Sequence, residues 1–211
     1  MYLVVGLGNP GEEYEKTPHN LGFRVVDLLG ERHSIRLNRK DSKAITGVGE
    51  IAGKPVMLAK PQTYMNLSGT SVAGLMSKHS FTPQDLILVY DELDLPWGEM
   101  RIKPRGSAAG HHGPESVIDH VGTQKFVRVR LGINPGYKLR DGAEYLLAPI
   151  KRSQWKESEE LVGRGADAVA SIIAEGVEKS MTIFNRRAQG SKTRKNEDLR
   201  RAVYREAGRP G

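Results

Sequence analysis

The apolar residues of this chain alternate between short runs and longer stretches with helical spacing. Leu3-Val4-Val5 is a short run that reads as a buried strand. Leu21–Arg32 places Leu21, Val25, Leu28 and Leu29 on one side of a helix, with Asn20 at the N-cap position. Ala44–Ile51 and Pro55–Ala59 read as strands joined by a hairpin at Gly53-Lys54. Helical spacing returns over Ser68–His79, through Val72, Leu75 and Met76, and is followed by the strand Leu86–Tyr90, LILVY. Glu99–Lys103 is a short strand. The glycine-rich stretch Gly106–Gly113 precedes a short helix over Pro114–Val121, with proline near its first turn. Phe126–Ile133 alternates apolar and basic residues, as a strand with one polar face does. Gly142–Leu147 makes one or two helical turns, and Trp155–Phe184 a long helix that Gly163, Gly165 and Gly176 bend or break.

Strands alternating with helices, interrupted by a hairpin, predict an α/β fold: a single three-layer domain with a mixed, mostly parallel twisted sheet flanked by helices. This domain is assigned to residues 1–187. Residues 188–211 carry no apolar stripe and are expected to form a basic, disordered or loosely helical tail. Of the net charge of +7, residues 186–211 hold +6, with nine Lys/Arg against three Asp/Glu. Such a tail suits a polyanionic partner. The absence of cysteine excludes disulfides and thiolate catalysis. Neither an export signal nor an apolar run long enough for a bilayer is seen, so a cytoplasmic protein without membrane association is expected.

Candidate chemistry gathers in a few places. Gly6-Leu7-Gly8-Asn9-Pro10-Gly11 fits the spacing of a dinucleotide-binding turn. Glu12 and Glu13 would then occupy the first helical turn, repelling a pyrophosphate, and Pro18 would interrupt that helix, so a structural turn is the better reading. His19 stands just before a helix, where neutral imidazole, the form a general base needs, is favoured. Asp91 ends the most apolar strand, where open α/β sheets collect sites, and a carboxylate there can fix an imidazole tautomer. Asp91-Glu92-Leu93-Asp94 also raises a metal site, which lacks a suitably spaced histidine. Asn9 and Asn66 can grip a carbonyl, and Tyr14 and Tyr64 can stack on a base or sugar. The glycine-rich loop, flanked by Lys103, Arg105 and Arg130, suits phosphate. With no convincing nucleophile, a His–Asp pair points to direct attack by water.

Together these residues resemble the bacterial peptidyl-tRNA hydrolase family. The likeness runs from Tyr2 to about Asn185, through VGLGNPG (Val5–Gly11), His19-Asn20, KPQTYMNLSG (Lys60–Gly69), DELDLPWG (Asp91–Gly98), the loop ending in Gly110-His111, and VRVRLGI (Val127–Ile133). The resemblance implies a monomeric α/β hydrolase needing neither cofactor nor metal. It would cleave the ester between a peptide and the tRNA 3′ end and so recycle tRNA from stalled translation. It implies His19 as the base that activates water, Asp91 as its supporting carboxylate, and Asn9 as the group that tells peptidyl from free aminoacyl esters. Tyr14, Tyr64 and Asn66 match contacts to the tRNA end or the peptide, and Lys103 and Arg130 match a clamp on tRNA phosphates. The chain departs from the family pattern after Gly110-His111, where the usual Asn is His112. His112 is accordingly expected at the substrate with an altered grip. The alternative is a non-catalytic RNA-binding relative of the same fold; an oxidoreductase would rest on GLGNPG alone.

Overall fold

In the computed structural model, residues 1–185 are described. They form a seven-stranded sheet in the order β2-β3-β4-β1-β5-β7-β6. The strands are β1 (Tyr2–Gly6), β2 (Arg39–Asp41), β3 (Ala44–Ile51), β4 (Lys54–Pro61), β5 (Leu86–Pro96), β6 (Met100–Lys103) and β7 (Val127–Asn134). The central four, β4-β1-β5-β7, are parallel, and antiparallel strands finish both edges. The mixed sheet expected from the alternation of elements is thus found. Its tail assignment, residues 188–211, lies outside the described residues.

Helices cover both faces. α1 (Leu21–Arg32) packs with α5 (Trp155–Glu175) on one side; α2 (Ser68–His79) packs with α3 (His112–Val121) on the other. Successive strand residues point to opposite faces. In β1, Val4 therefore joins the core under α1 and α5, and Leu3 and Val5 join the core under α2 and α3. α4 (Gly142–Leu147) packs against the turn that carries His19, and α6 (Val177–Phe184) against β6.

Several boundaries differ from expectation for local physical reasons. The long C-terminal helix breaks once, at Gly176, whose φ of 91° is left-handed. Gly163 and Gly165 stay helical; a Cβ on Gly165 would stand 2.9 Å from the Val25 side chain, so the missing side chain serves the approach of α5 to α1. α3 starts at His112, two residues before the expected start, because the side chain of His111 caps it. β5 continues past Tyr90 to Pro96, with its register to β7 shifting between Glu92 and Pro96.

The chain places elements to the left of β1 up to β4 and then crosses to β5 on the other side. The end of β1 beside β5 is therefore a topological switch point, where open α/β sheets leave a crevice. Two glycines bring the next helix down onto it. A Cβ on Gly6 would stand 2.1 Å from the Gly22 carbonyl oxygen, and one on Gly22 2.4 Å from that of Val89. Backbone-to-backbone contact of α1 with β1 and β5 sets the residues just before α1 over the end of β5.

Candidate active site

Four segments meet at that crevice. A 3-10 turn, Pro18–Asn20, delivers His19, and the buried part of β5 delivers Asp91. His19 Nδ1 lies 3.0 Å from each Asp91 carboxylate oxygen. Asp91 is fully buried and His19 is 3 % exposed. A second imidazole reaches the same carboxylate: His111 Nε2 is 2.9 Å from Asp91 Oδ1, and its ring stacks on His19 with centroids 5.0 Å apart.

The tautomer of His111 follows from its other nitrogen. The Gly113 N–H donates to His111 Nδ1 at 3.1 Å, so Nδ1 holds the lone pair and Nε2 carries the hydrogen given to Asp91. Burial pushes the His111 pKa down, against the pull of Asp91, and favours the neutral ring. Burial alone would raise the Asp91 carboxyl. The two imidazoles set against it, His19 and His111, outweigh burial and hold the carboxyl well below its ordinary range. A charged Asp91 accepts from His19 Nδ1, so the neutral His19 ring keeps its lone pair on Nε2, as general-base chemistry requires.

His19, Asp91 and His111 are also the one group of three potential metal ligands among the described residues. The cap on His111 disfavours that use. A metal at Nε2 needs the hydrogen moved to Nδ1, where it would oppose the Gly113 N–H. Glu92, the next acid of the same strand, turns instead to Arg130. The Asp91–Asp94 metal reading has no support in this arrangement.

Asn9 is fixed by two partners. Its backbone N–H donates to Asn20 Oδ1 and its carbonyl accepts from Asn20 Nδ2, both at 2.9 Å. Asn20 holds the N-cap position of α1 as expected, but its side chain makes no cap and spends its amide on the turn opposite. Asn9 Oδ1 accepts from the Met65 N–H at 2.8 Å. Its orientation is thereby set, with Nδ2 presenting N–H away from Met65. A Cβ on Gly113 would stand 2.5 Å from Met65 Sδ, so α3 closes on the Met65 segment and completes a ring around the crevice.

The other candidates fall around this ring or away from it. Tyr64 is 60 % exposed, and Asn66, beside Met65, is also exposed. Tyr14 is half-buried in the turn that precedes His19. His112 is the first residue of α3; its Nδ1 lies 3.2 Å from Glu115 Oε2 and its Nε2 is buried without a partner. Lys103 is exposed on β6. Arg130 gives two hydrogen bonds to Glu92 Oε2, at 2.9 and 2.6 Å, and lies 3.9 Å from Asp94. Asn9 and Asn20 also line a cleft of about 540 Å³ with Phe23, Arg24, Lys60 and Trp155, which does not include His19 or Asp91.

Sequence reasoning missed His111 as a working residue. Its one local signal was two histidines at the start of a helix after a glycine-rich loop. Its contact with Asp91 spans 20 residues and cannot be read from spacing.

The α/β sheet thus carries a buried His–Asp couple at its switch point. The comparisons give the family. The sequence model of the peptidyl-tRNA hydrolase family matches residues 3–195, and the chain belongs to that family. It is 64 % identical over 190 residues to a peptidyl-tRNA hydrolase of Solibacter usitatus, covering 90 % of this chain and 97 % of that one. A Koribacter versatilis peptidyl-tRNA hydrolase is 48 % identical over 190 residues, covering 90 % and 94 %. The crystal structure of peptidyl-tRNA hydrolase from Acinetobacter baumannii superposes with a TM-score of 0.81 at 33 % identity, covering 88 % of this chain and 94 % of that one. No helix among the described residues is long and apolar enough to cross a membrane.

Proposed function

We propose that this chain hydrolyses the ester joining a peptide to the 3′ end of tRNA. The observation that carries the proposal is the buried Asp91 carboxylate holding His19 by Nδ1. His19 takes a proton from water at Nε2 as the water oxygen attacks the ester carbonyl. Asp91 stabilises the imidazolium so formed. The imidazolium returns its proton to the departing 3′ oxygen, giving a peptide carboxylate and free tRNA. Amide N–H groups, of Asn9 and of the exposed Asn66, polarise the carbonyl.

The orientation of Asn9 gives the substrate preference a physical basis. Its N–H donors meet an acceptor in a peptidyl group, whose nitrogen is acylated. A free aminoacyl ester offers an ammonium with donors alone, and donor would face donor. Tyr14, Tyr64 and Asn66 take the tRNA end and the first peptide unit, and His112 borders the same substrate. Lys103 meets tRNA phosphate, with Arg130 beside it exchanging Glu92 for phosphate. The protein acts as a cytoplasmic monomer without cofactor.

The test is hydrolysis of N-acetyl-aminoacyl-tRNA beside the same tRNA with a free amino group. Turnover of the blocked ester, with the free ester hydrolysed at least about tenfold more slowly, is expected for loss of one well-placed hydrogen bond. Binding of tRNA without turnover would instead make the chain an RNA-binding relative.

A further inference from the structure

Arg128 is the largest fully buried side chain of the described residues, at 1 % exposure, and it pairs with no carboxylate among them. A buried cation without a counter-charge is costly unless its donors are well used. Its two terminal nitrogens go to backbone carbonyls, while the buried Nε has no partner among the described residues. Nη1 donates to Ser107 O at 2.9 Å, and Nη2 reaches Gln124 O at 3.5 Å. The guanidinium also lies 4.4 Å from the Phe126 ring centroid.

The two carbonyls have a shared meaning. Ser107 lies in the loop that enters α3, and Gln124 in the loop that leaves it, so one guanidinium ties both ends of the segment carrying His111. The Gly106 N–H closes the same junction on Gln124 O at 3.4 Å. This segment needs holding. Ala109 has φ 56° and Gly110 φ 87°, two consecutive left-handed residues directly before His111. A left-handed alanine is strained, because its Cβ crowds the following carbonyl oxygen. On the other side, Tyr90 stands edge-on to the His111 ring at 5.3 Å.

We propose that Arg128 is a positioning residue that sets His111 against Asp91 by pinning the entry and exit of α3. This rests on the reading of His19 and Asp91 as the catalytic couple, but it is read independently at His111. The experiment compares the full-length protein with Arg128→Met, which keeps an apolar stem of similar reach, and Arg128→Lys, which keeps the charge and loses the planar fork. All three are labelled with ¹⁵N-histidine, the His111 signal is assigned with His111→Asn, and turnover of N-acetyl-aminoacyl-tRNA is measured.

In the wild type His111 shows the neutral Nε2–H tautomer. In folded Arg128→Met that signature is lost or averaged, and kcat falls about 10- to 100-fold, the scale of a small misplacement, while KM moves less than about threefold. Arg128→Lys falls between. A folded variant with the wild-type His111 signature overturns the proposal, as does failure of both variants to fold, which would leave Arg128 a stability residue only. Wild-type protein without turnover would defeat the functional reading, while the His111 signal would still decide the role of Arg128.

Discussion

Asp91 receives two histidines, and they differ in what the second ring nitrogen does. His111 spends both nitrogens on fixed partners, Nε2 on Asp91 and Nδ1 on the Gly113 N–H. Such a ring cannot take up a proton without breaking its cap on α3. His19 commits Nδ1 to the same carboxylate and keeps its lone pair on Nε2. One imidazole is thus a neutral donor that steadies the carboxylate, and the other is the base of the proposed mechanism. Identical side chains at one carboxylate acquire opposite roles from their backbone surroundings: a tight 3-10 turn for His19, a helix N-terminus for His111.

The contrast can be broken most severely at its hub. Asp91→Asn should lower kcat by about 10³- to 10⁴-fold, because an amide no longer enforces the Nδ1–H tautomer of His19. Steady-state kinetics on N-acetyl-aminoacyl-tRNA measure this, and a loss under tenfold would place the base elsewhere. Next comes the donor. His111→Ala removes one hydrogen bond to Asp91 and the cap of α3, and should lower kcat about 10- to 100-fold without abolishing it. If His111→Ala costs as much as Asp91→Asn, the division of roles between the two rings is wrong.

A smaller effect is expected at the edge of the sheet. Lys103 and Arg130 belong to adjacent strands whose paired residues share a face, Arg101 with Arg130 and Lys103 with Arg128. Lys103 is exposed, whereas Arg130 is bonded to Glu92. Lys103→Ala should weaken tRNA binding and reduce the slope of log K against log salt by about 0.7–0.9, one phosphate contact, with kcat little changed. An unaltered slope removes Lys103 from the interface.

The smallest effect is on stability. Burial holds the folded-state pKa of His111 below its unfolded value. The unfolded chain therefore binds a proton that the folded one refuses, and stability falls as pH drops below about 6.5. The depressed carboxyl of Asp91 contributes above the ordinary carboxylate range, near 3.9, and its share is lost only at lower pH. Between pH 7 and 5 the loss therefore belongs to histidine. Thermal unfolding of His111→Asn should show a shallower fall in Tm over that interval than the wild type; parallel curves would contradict a neutral buried His111.

Much of this arrangement was legible from periodicity. The helices at Leu21–Arg32, Ser68–His79 and Gly142–Leu147 and the strand at Ala44–Ile51 have the bounds their apolar spacing indicates. The glycine turn after β1 is not built as a dinucleotide turn: a short 3-10 turn, Glu12–Tyr14, follows it, and the helix begins only at Leu21. Three features were hidden because they join residues distant in sequence. Asn20 holds the N-cap position its spacing indicates, but its side chain clamps Asn9 rather than capping the helix. Arg130 looked like an open cation and instead meets Glu92. His111 looked like loop and instead completes the carboxylate. Local spacing records which face a residue takes, but not which partner a distant strand brings to it.

The central claim is that His19 is the base. The most direct measurement is single-turnover hydrolysis of N-acetyl-aminoacyl-tRNA by wild type and His19→Ala, with tRNA binding measured on both. Rapid cleavage by the wild type is expected, with a loss of about 10²- to 10⁴-fold in His19→Ala and tRNA affinity within about threefold of wild type. Cleavage by His19→Ala at the wild-type rate, with affinity retained, would contradict it.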